Sequence, residues 1–520
     1  MKCGMDGKIT KVYVPTEIGV EHTVEMGSPD PRWSSLHRVF CKETCRDDEK
    51  RYYPPNAKIV YFYDMCSSFC GFSFPLLSKI KVYFTIGLKR EGDVLMRKRI
   101  YGVISFFILF LFLSCNSTSP FVSDVTTSKE ISIQEKLSYY GGKEVFVDEP
   151  EMFFDGEEWL ERLEKEVEKA DDYIVMSLYL GSSSPALENL FSIMERKAEE
   201  GVRIYLIVDG SSNMDMTDTK YVMTPLNYLR ESGINLLIYA PLSFSHIANP
   251  SQLLVRDHRK LIVIDGKVAV VGGMNLNYIS IGAGEKNQRD SMYLFYSPSL
   301  AKLLLEEFIS SWNRGSVDQI SMDSFNTYHG EGSYRAWLFN RDIYKNNVSI
   351  SGMYGSLMEE AEESVFLCPF LPCADDNMKK AIERAVDRGV DYEIWCSQDP
   401  RGYLKAGMAW SMADIVTSTG ASFFDVTKDE GGEDYPLFHM KMMVVDDRWL
   451  VVGSSNYNFR SMALSHELVL VIDSPSVASK AKERAKESGG NPIYLEEEEL
   501  LERKDEYGSF LGYLMVFFGG

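Results

Sequence analysis

His258-Arg259-Lys260-Leu261-Ile262-Val263-Ile264-Asp265, followed by Gly272-Gly273-Met274-Asn275, occurs a second time as His439-Met440-Lys441-Met442-Met443-Val444-Val445-Asp446, followed by Gly453-Ser454-Ser455-Asn456. In both copies Lys lies two residues after His, Asp seven and Asn seventeen. With Lys and Asp each near ~6% of residues, one His meets both offsets in roughly 0.4% of cases. Two such hits among seven His, each with Gly and Asn again in phase, exclude coincidence.

The spacing has a physical reading. Lys260 to Ile264 is a buried-strand pattern, and Asp265-Gly266 is a hairpin turn into Lys267-Val268-Ala269-Val270-Val271. Positions i and i+2 of a strand face the same way, so His258 and Lys260 are expected to share one site. Small residues at the end of the second strand let Asn275 approach it. With His439, Lys441 and Asn456 from the other copy, a pseudo-twofold axis would assemble two imidazoles, two ammonium groups and two amides. A phosphodiester needs such a set: cationic and amide donors for its oxygens, a nucleophile on one side of phosphorus and an acid on the other. A metal site fits poorly, because an ammonium sits beside each imidazole and no Cys or carboxylate cluster completes a ligand set. Asp265 and Asp446 fall in turns and are read as structural. His22, His37, His246 and His329 are read as structural histidines.

Working outward, the duplication extends to the whole domain. Glu157 to Ala170 carries Leu160, Leu163 and Val167 at helical spacing and precedes the strand Tyr173-Ile174-Val175-Met176; Leu357 to Ala361 precedes Val365-Phe366-Leu367 in the same order. A second helix-to-strand step turns at Gly201 in one copy and Gly389 in the other, where a helix C-cap is wanted. Strands alternating with helices predict an α/β fold built from βαβ units in two halves.

These residues resemble the phospholipase D superfamily, defined by paired His-x-Lys-x4-Asp motifs, over about residues 145–475. The resemblance implies a duplicated phospholipase D-like fold: two pseudo-symmetric βαβ-rich halves with mixed sheets packed around a shared active site. It also implies a two-step, metal-free reaction through a phosphohistidine, with no cofactor. Carried onto this sequence, His258 becomes the nucleophile and His439 the acid and then the base. Lys260, Lys441, Asn275 and Asn456 bind phosphate, and Asp290 and Glu467 are the carboxylates that orient the imidazoles. Gly453 to Ser461 with Glu467-Leu468 resembles the bacterial cardiolipin synthase branch, which moves a phosphatidyl group between phosphatidylglycerol molecules. Asn458 in place of Asp, Ser465-His466 before Glu467, and Arg289 without a preceding Trp depart from that branch.

The flanks read differently. Residues 1–95 hold 14 Lys/Arg and 12 Asp/Glu, leaving 41 against 64 for residues 96–520 out of totals of 55 and 76. That first stretch contains Cys3, Cys41, Cys45, Cys66 and Cys70, whose Cys-x3-Cys pairs lack structural-zinc spacing. Met96-Arg97-Lys98-Arg99, an apolar run from Ile100 to Ser114, and Leu113-Ser114-Cys115 describe a lipoprotein-type signal peptide at 96–115, with Cys115 lipidated; a single-span anchor is the alternative, though the run is short for one. A signal must begin its chain, so 1–95 is read as a non-native upstream or disordered extension. The expected order continues with a tether at 116–144, a first half at 145–330, a second half at 331–480 and a tail at 481–520. Within that tail, Phe510 to Phe518 is apolar and reads as packed on the core or in contact with lipid. Only Cys368, Cys373 and Cys396 remain beyond Cys115, so no disulfide framework is indicated.

The expected partner is a phospholipid substrate, met at the membrane surface through the lipid anchor on the extracytoplasmic side of a bacterial envelope. The protein would be a monomer with an internal pseudo-dimer. The net charge of −21 opposes the alternative of a nuclease of the same superfamily. A phospholipase D-type hydrolase, or a non-catalytic envelope lipoprotein, are the remaining readings.

Overall fold

A computed structural model describes residues 121–210, 226–241, 255–282, 288–330, 332–345, 347–398, 402–427 and 436–518. The signal segment, Cys115, the first 95 residues, His22, His37 and His246 lie outside the described residues.

Two mixed sheets carry the repeat. The first runs in the order β2 (Glu151–Phe153), β9 (Met292–Phe295), β7 (Val268–Gly272), β6 (Leu261–Ile264), β3 (Tyr173–Leu178), β4 (Arg203–Asp209), β5 (Asn235–Tyr239). The second runs β1 (Lys143–Val147), β10 (Tyr334–Arg341), β17 (Glu467–Asp473), β16 (Trp449–Gly453), β15 (Met442–Val445), β11 (Ser364–Cys368), β12 (Asp391–Cys396), β13 (Ser422–Asp425), β18 (Ile493–Leu495). In each, three strands are parallel, β3-β4-β5 and β11-β12-β13, and the rest are antiparallel. The motif hairpins β6-β7 and β15-β16 occupy the same place in both sheets. A duplicated α/β domain with mixed sheets is therefore what the chain forms.

The motif strands Leu261–Ile264 and Met442–Val445 are buried at every position, because both sheet faces are covered and the run need not alternate. Between the sheets lies a shared apolar core. Val263, Val271 and Tyr293 of the first sheet join Val444, Val452 and Leu470 of the second, together with the helices Pro298–Gly315 and Pro475–Gly489. Outer helices close the far faces. Gly156–Glu168 and Glu188–Glu199 cover the first sheet, and Ile350–Glu360, Asp376–Asp387 and Gly402–Thr419 cover the second. Asp155 caps the first of these by accepting from the amides of Glu157 and Glu158 at 2.9 and 3.0 Å. Gly201 and Gly389 both take positive φ after their helices, at 101° and 89°.

The ends of the chain depart from the reading above. From residue 121 onward the expected tether is folded, with helices Ser123–Thr127 and Ile133–Tyr139 and then β1, which joins the second sheet beside β10. The chain thus visits the second sheet before it builds the first. A capping box of Ser132 and Glu135, with Ile133, Leu137 and Tyr140 buried, outweighs the Ser/Thr-rich composition. The tail also is built in: β18 extends the second sheet, and the helices Glu497–Tyr507 and Phe510–Phe518 follow it. The latter helix buries Gly512, Val516 and Phe518, packs against Gly402–Thr419, and leaves Phe510 and Leu511 exposed. Among the described residues no helix is long and apolar enough to cross a membrane. Cys368, Cys373 and Cys396 are free and buried, and His329 is exposed.

The motif aspartates sit in the turns with φ of 51° each. The Asp265 carboxylate accepts from the amides of Asp171, Asp172 and Tyr173, all at 2.9 Å. Asp446 repeats this with Glu362, Glu363 and Ser364 at 2.9, 2.8 and 2.9 Å. Each carboxylate thereby ties its hairpin to the start of β3 or β11. At a rise of about 3.3 Å per residue this is roughly 20 Å from the motif histidine. Asp265→Asn replaces one accepting oxygen with an amide that faces a backbone N–H. Urea denaturation is expected to show a loss of about 2 kcal/mol, with the chemistry of the distant site unchanged.

Candidate active site

Each motif histidine is held by the opposite half. The short strand β14 (Leu437–Phe438) pairs in parallel with β8 (Gln288–Arg289), and the His439 amide then donates to the Arg289 carbonyl at 2.7 Å. At the equivalent place Asp257 bridges His466, the His258 amide donates to the His466 carbonyl at 3.0 Å, and the His466 amide donates to the Arg256 carbonyl at 2.9 Å. The two carbonyls belong to the residues just before Asp290 and Glu467. The backbone therefore delivers each carboxylate to the imidazole of the other copy. His258 Nδ1 lies 3.0 Å from both oxygens of Glu467, and His439 Nδ1 lies 2.6 Å from Asp290 Oδ2.

Where the carboxylate is ionised it only accepts, so Nδ1 carries the proton and the lone pair is left on Nε2. Lys260 Nζ donates to the His258 carbonyl at 2.7 Å. Lys441 Nζ donates to the His439 carbonyl and lies 2.7 Å from His439 Nδ1 and 3.5 Å from Asp290 Oδ2. Arg259, between His258 and Lys260, points the other way and pairs with Asp257 at 2.5 Å, as strand alternation demands.

Burial and like charge set the protonation states. Burial, then the ammonium groups of Lys260 and Lys441, drive His258 well below the ordinary imidazole value. Burial and Lys441 bring His439 down to about 3 despite Asp290, and Lys260 pushes in the same direction. Each imidazole therefore senses the ammonium of the other half. Burial lowers Lys260 to about 7 and Lys441 to about 8, against the pull of Glu467 and Asp290. Burial raises Glu467 to about 7, while Lys441 and His439 hold Asp290 below its ordinary value. The empty site holds two neutral imidazoles, with the Lys260 ammonium and the Glu467 carboxyl both brought to about 7, and a bound phosphodiester would add negative charge to it. That charge favours protonated histidine and lysine.

Asn275 and Asn456 lie three residues after the hairpin partners β7 and β16 and are both buried. Asn275 Oδ1 accepts weakly from the Leu180 amide at 3.4 Å. The backbone N–H of Asn456 donates to Ser461 Oγ at 3.1 Å, and the side-chain Oδ1 has no hydrogen-bond partner among the described residues. Gly273 is required because a Cβ there would collide with the Asp290 carboxylate. Ser454 takes the same position in the second copy and donates its hydroxyl to Glu467.

Several residues at the site are invisible to motif spacing. Tyr179 packs on His258 and Phe370 on His439, with ring centroids 4.6 and 4.1 Å apart. His466 is fully buried and contacts Tyr239 Oη through Nε2 at 2.9 Å; burial and Arg259 bring it down to about 3. The available signal for His466 was positional, since it precedes Glu467 as Arg289 precedes Asp290. Among the described residues no group of three or more His, Cys, Asp and Glu side chains is placed to hold a metal ion.

Duplicated mixed α/β sheets, with paired His-x-Lys motifs crossed by carboxylates, define a phospholipase D-like protein. Residues 163–312 and 354–488 match the family described as "Cardiolipin synthase, PLD-like domain". These segments make up over half of the chain, which belongs to that family. A cardiolipin synthase of Listeria monocytogenes serotype 4b (strain CLIP80459) is 27% identical over 343 residues, 64% of this chain and 67% of that protein. A probable cardiolipin synthase of Bacillus subtilis strain 168 is 24% identical over 319 residues, 60% of each. The crystal structure of phosphatidylserine synthase from Haemophilus influenzae Rd KW20 shares the fold, with a TM-score of 0.55 at 13% identity. That likeness covers 74% of this chain and 96% of the other.

If the two lysines hold a phosphate anion they must be charged, and each loses its charge as pH rises through its own value. The kcat/KM for a soluble phosphodiester is therefore expected to fall on the alkaline side, beginning between pH about 7 and about 8. A profile flat to pH ~9.5, past both values, would contradict the assignment of these ammoniums to the site.

Proposed function

We propose that the chain is a phosphatidyltransferase that joins phosphatidyl groups by way of His258, acting as a cardiolipin synthase. The observation that carries this reading is the crossed pair of imidazoles, each with its Nδ1 on a carboxylate of the other half and a lysine of its own beside it. Membership in the family and the bacterial relatives named cardiolipin synthase support the lipid substrate.

In the first step the lone pair of His258 Nε2 attacks phosphorus of one phosphatidylglycerol. The phosphorus–oxygen bond to glycerol breaks as His439, protonated when the anion binds, gives its Nε2 proton to the leaving oxygen. In the second step a hydroxyl of another phosphatidylglycerol attacks phosphorus and passes its proton to His439 Nε2. The nitrogen–phosphorus bond then breaks, releasing cardiolipin and free His258. Lys260, Lys441, Asn275 and Asn456 hold the phosphoryl oxygens, and Glu467 and Asp290 balance the positive charge that each imidazole carries in turn. One chain supplies both halves, so a monomer suffices. A lipid anchor at Cys115 would keep the site at the membrane surface, on the extracytoplasmic side, at high effective substrate concentration.

The test is to incubate the purified protein with EDTA and, separately, phosphatidylglycerol, phosphatidylcholine or single-stranded DNA. Phosphatidylglycerol should yield cardiolipin and glycerol in equal amounts. His258→Ala and His439→Ala should each lower turnover on the order of 10³-fold or more. Phosphatidic acid as the sole lipid product would reassign the protein as a hydrolase, and cleavage of DNA with the lipids untouched would remove the lipid reading.

A further inference from the structure

Tyr179 and Phe370 occupy equivalent positions that the motif does not contain. In the first sheet Ser177 of β3 is the register partner of Leu261, three residues after His258; in the second, Cys368 of β11 is the partner of Met442, three residues after His439. Tyr179 and Phe370 each lie two residues beyond those partners, where β3 and β11 leave their sheets alongside the His-x-Lys segments. The repeat therefore brings an aromatic ring to both motifs.

Each ring touches both motif side chains of its own half. Tyr179 meets the His258 ring at 4.6 Å and 69°, and Lys260 Nζ lies 5.0 Å from its centroid. Phe370 meets the His439 ring at 4.1 Å and 55°, with Lys441 Nζ 4.5 Å from its centroid. Both aromatics are buried. Phe370 holds a φ of 53°, a left-handed conformation that disfavours any residue with a Cβ and that glycine would adopt freely. A phenylalanine at such a position indicates a demand for its side chain.

We propose that Tyr179 and Phe370 are positioning residues for the phosphodiester chemistry: their faces keep Lys260 and Lys441 charged inside a buried site, and their contacts fix the imidazoles with Nε2 free. This rests on the phosphoryl-transfer reading above. The physical need is specific. A buried ammonium loses its hydration, and the negative face of an aromatic ring replaces part of it without adding a carboxylate that would repel the phosphate. The imidazole, held at Nδ1 by the carboxylate of the other half, also has to be kept from rotating about that bond, and a ring packed against it does so. Tyr on one side and Phe on the other satisfy both demands equally, because the shared element is the π face.

The variants Tyr179→Leu and Phe370→Leu keep apolar bulk and remove the ring; Tyr179→Phe and Phe370→Tyr keep the ring. In full-length protein labelled with ¹³C at lysine Cε, the resonances of Lys260 and Lys441 are assigned from Lys260→Arg and Lys441→Arg and titrated without substrate. Tyr179→Leu should lower the midpoint of Lys260, and Phe370→Leu that of Lys441, by about 0.5–1.5 pH units, the range set by loss of one buried cation–π contact. The alkaline limb of kcat/KM should move acidward by the same amount, and the aromatic exchanges should restore both. Unchanged lysine midpoints in the leucine variants overturn the proposal, even if activity falls, since lost packing alone lowers activity without moving a titration. If the midpoints move but no phosphodiester is turned over, the aromatic role stands and the phosphoryl-transfer reading is the one that fails.

Discussion

The structure depends on a crossing. Neither half completes its own imidazole: Glu467 of the second half holds His258, and Asp290 of the first holds His439. The crossing is made in the backbone before it is made in the side chains, through the β8–β14 pair and the Asp257–His466 bridge. A hydrogen bond from each histidine amide to the carbonyl before the partner's carboxylate fixes where that carboxylate can go. The shared core between the sheets keeps this geometry rigid, since Val263, Val271, Val444 and Val452 belong to one apolar cluster. A shift of one half against the other would break both imidazole–carboxylate hydrogen bonds together and leave buried polar groups without partners, a loss larger than that of a surface contact.

That constraint explains the electrostatics. Two ammoniums in a buried space would repel each other strongly, and two carboxylates alone would exclude an anion. Set against each other they leave the empty site close to neutral, with both lysines brought down toward neutrality and both histidines kept uncharged. On the proposed function, the charge of an entering phosphodiester would tip the balance, because it stabilises the protonated forms that the empty site disfavours.

Much of this was legible in the sequence, for identifiable reasons. The offsets of His, Lys, Asp and Asn report strand geometry, so the hairpins Leu261–Gly272 and Met442–Gly453, the turn-bound Asp265 and Asp446, and the pairing of the two halves follow from local rules. Long-range exchange is what local rules do not carry. Nothing in the order of residues states that Asp290 serves the second histidine rather than the first, because that depends on which strands the approach segments join. The same limit hid β1, whose place beside β10 is set by a tertiary choice. The folded state of residues 121–144, by contrast, was signalled by Ser132 and Glu135 and was masked by the serine and threonine composition around them.

The two copies have also diverged in a way that bears on their division of labour. In the first, the Nδ1 of His258 lies 3.0 Å from both oxygens of Glu467, and Lys260 donates to the histidine carbonyl, as Lys441 also does in the second copy. In the second, Lys441 stands 2.7 Å from His439 Nδ1. An ammonium at that distance makes protonated His439 a stronger acid, which suits a group that must surrender its proton to an alkoxide. It would hinder a nucleophile, whose ring becomes positively charged when its nitrogen bonds to phosphorus. His258 has both oxygens of Glu467 at Nδ1 to meet that charge, while the ammoniums of Lys260 and Lys441 oppose it. The neighbouring residues follow the same asymmetry. Gly273 leaves room for the short Asp290 beside Lys441, whereas Ser454 donates to the longer Glu467 and steadies it behind His258. Duplication explains why there are two histidines; on the proposed mechanism, the ammonium beside His439 Nδ1 suits that ring to the acid's role.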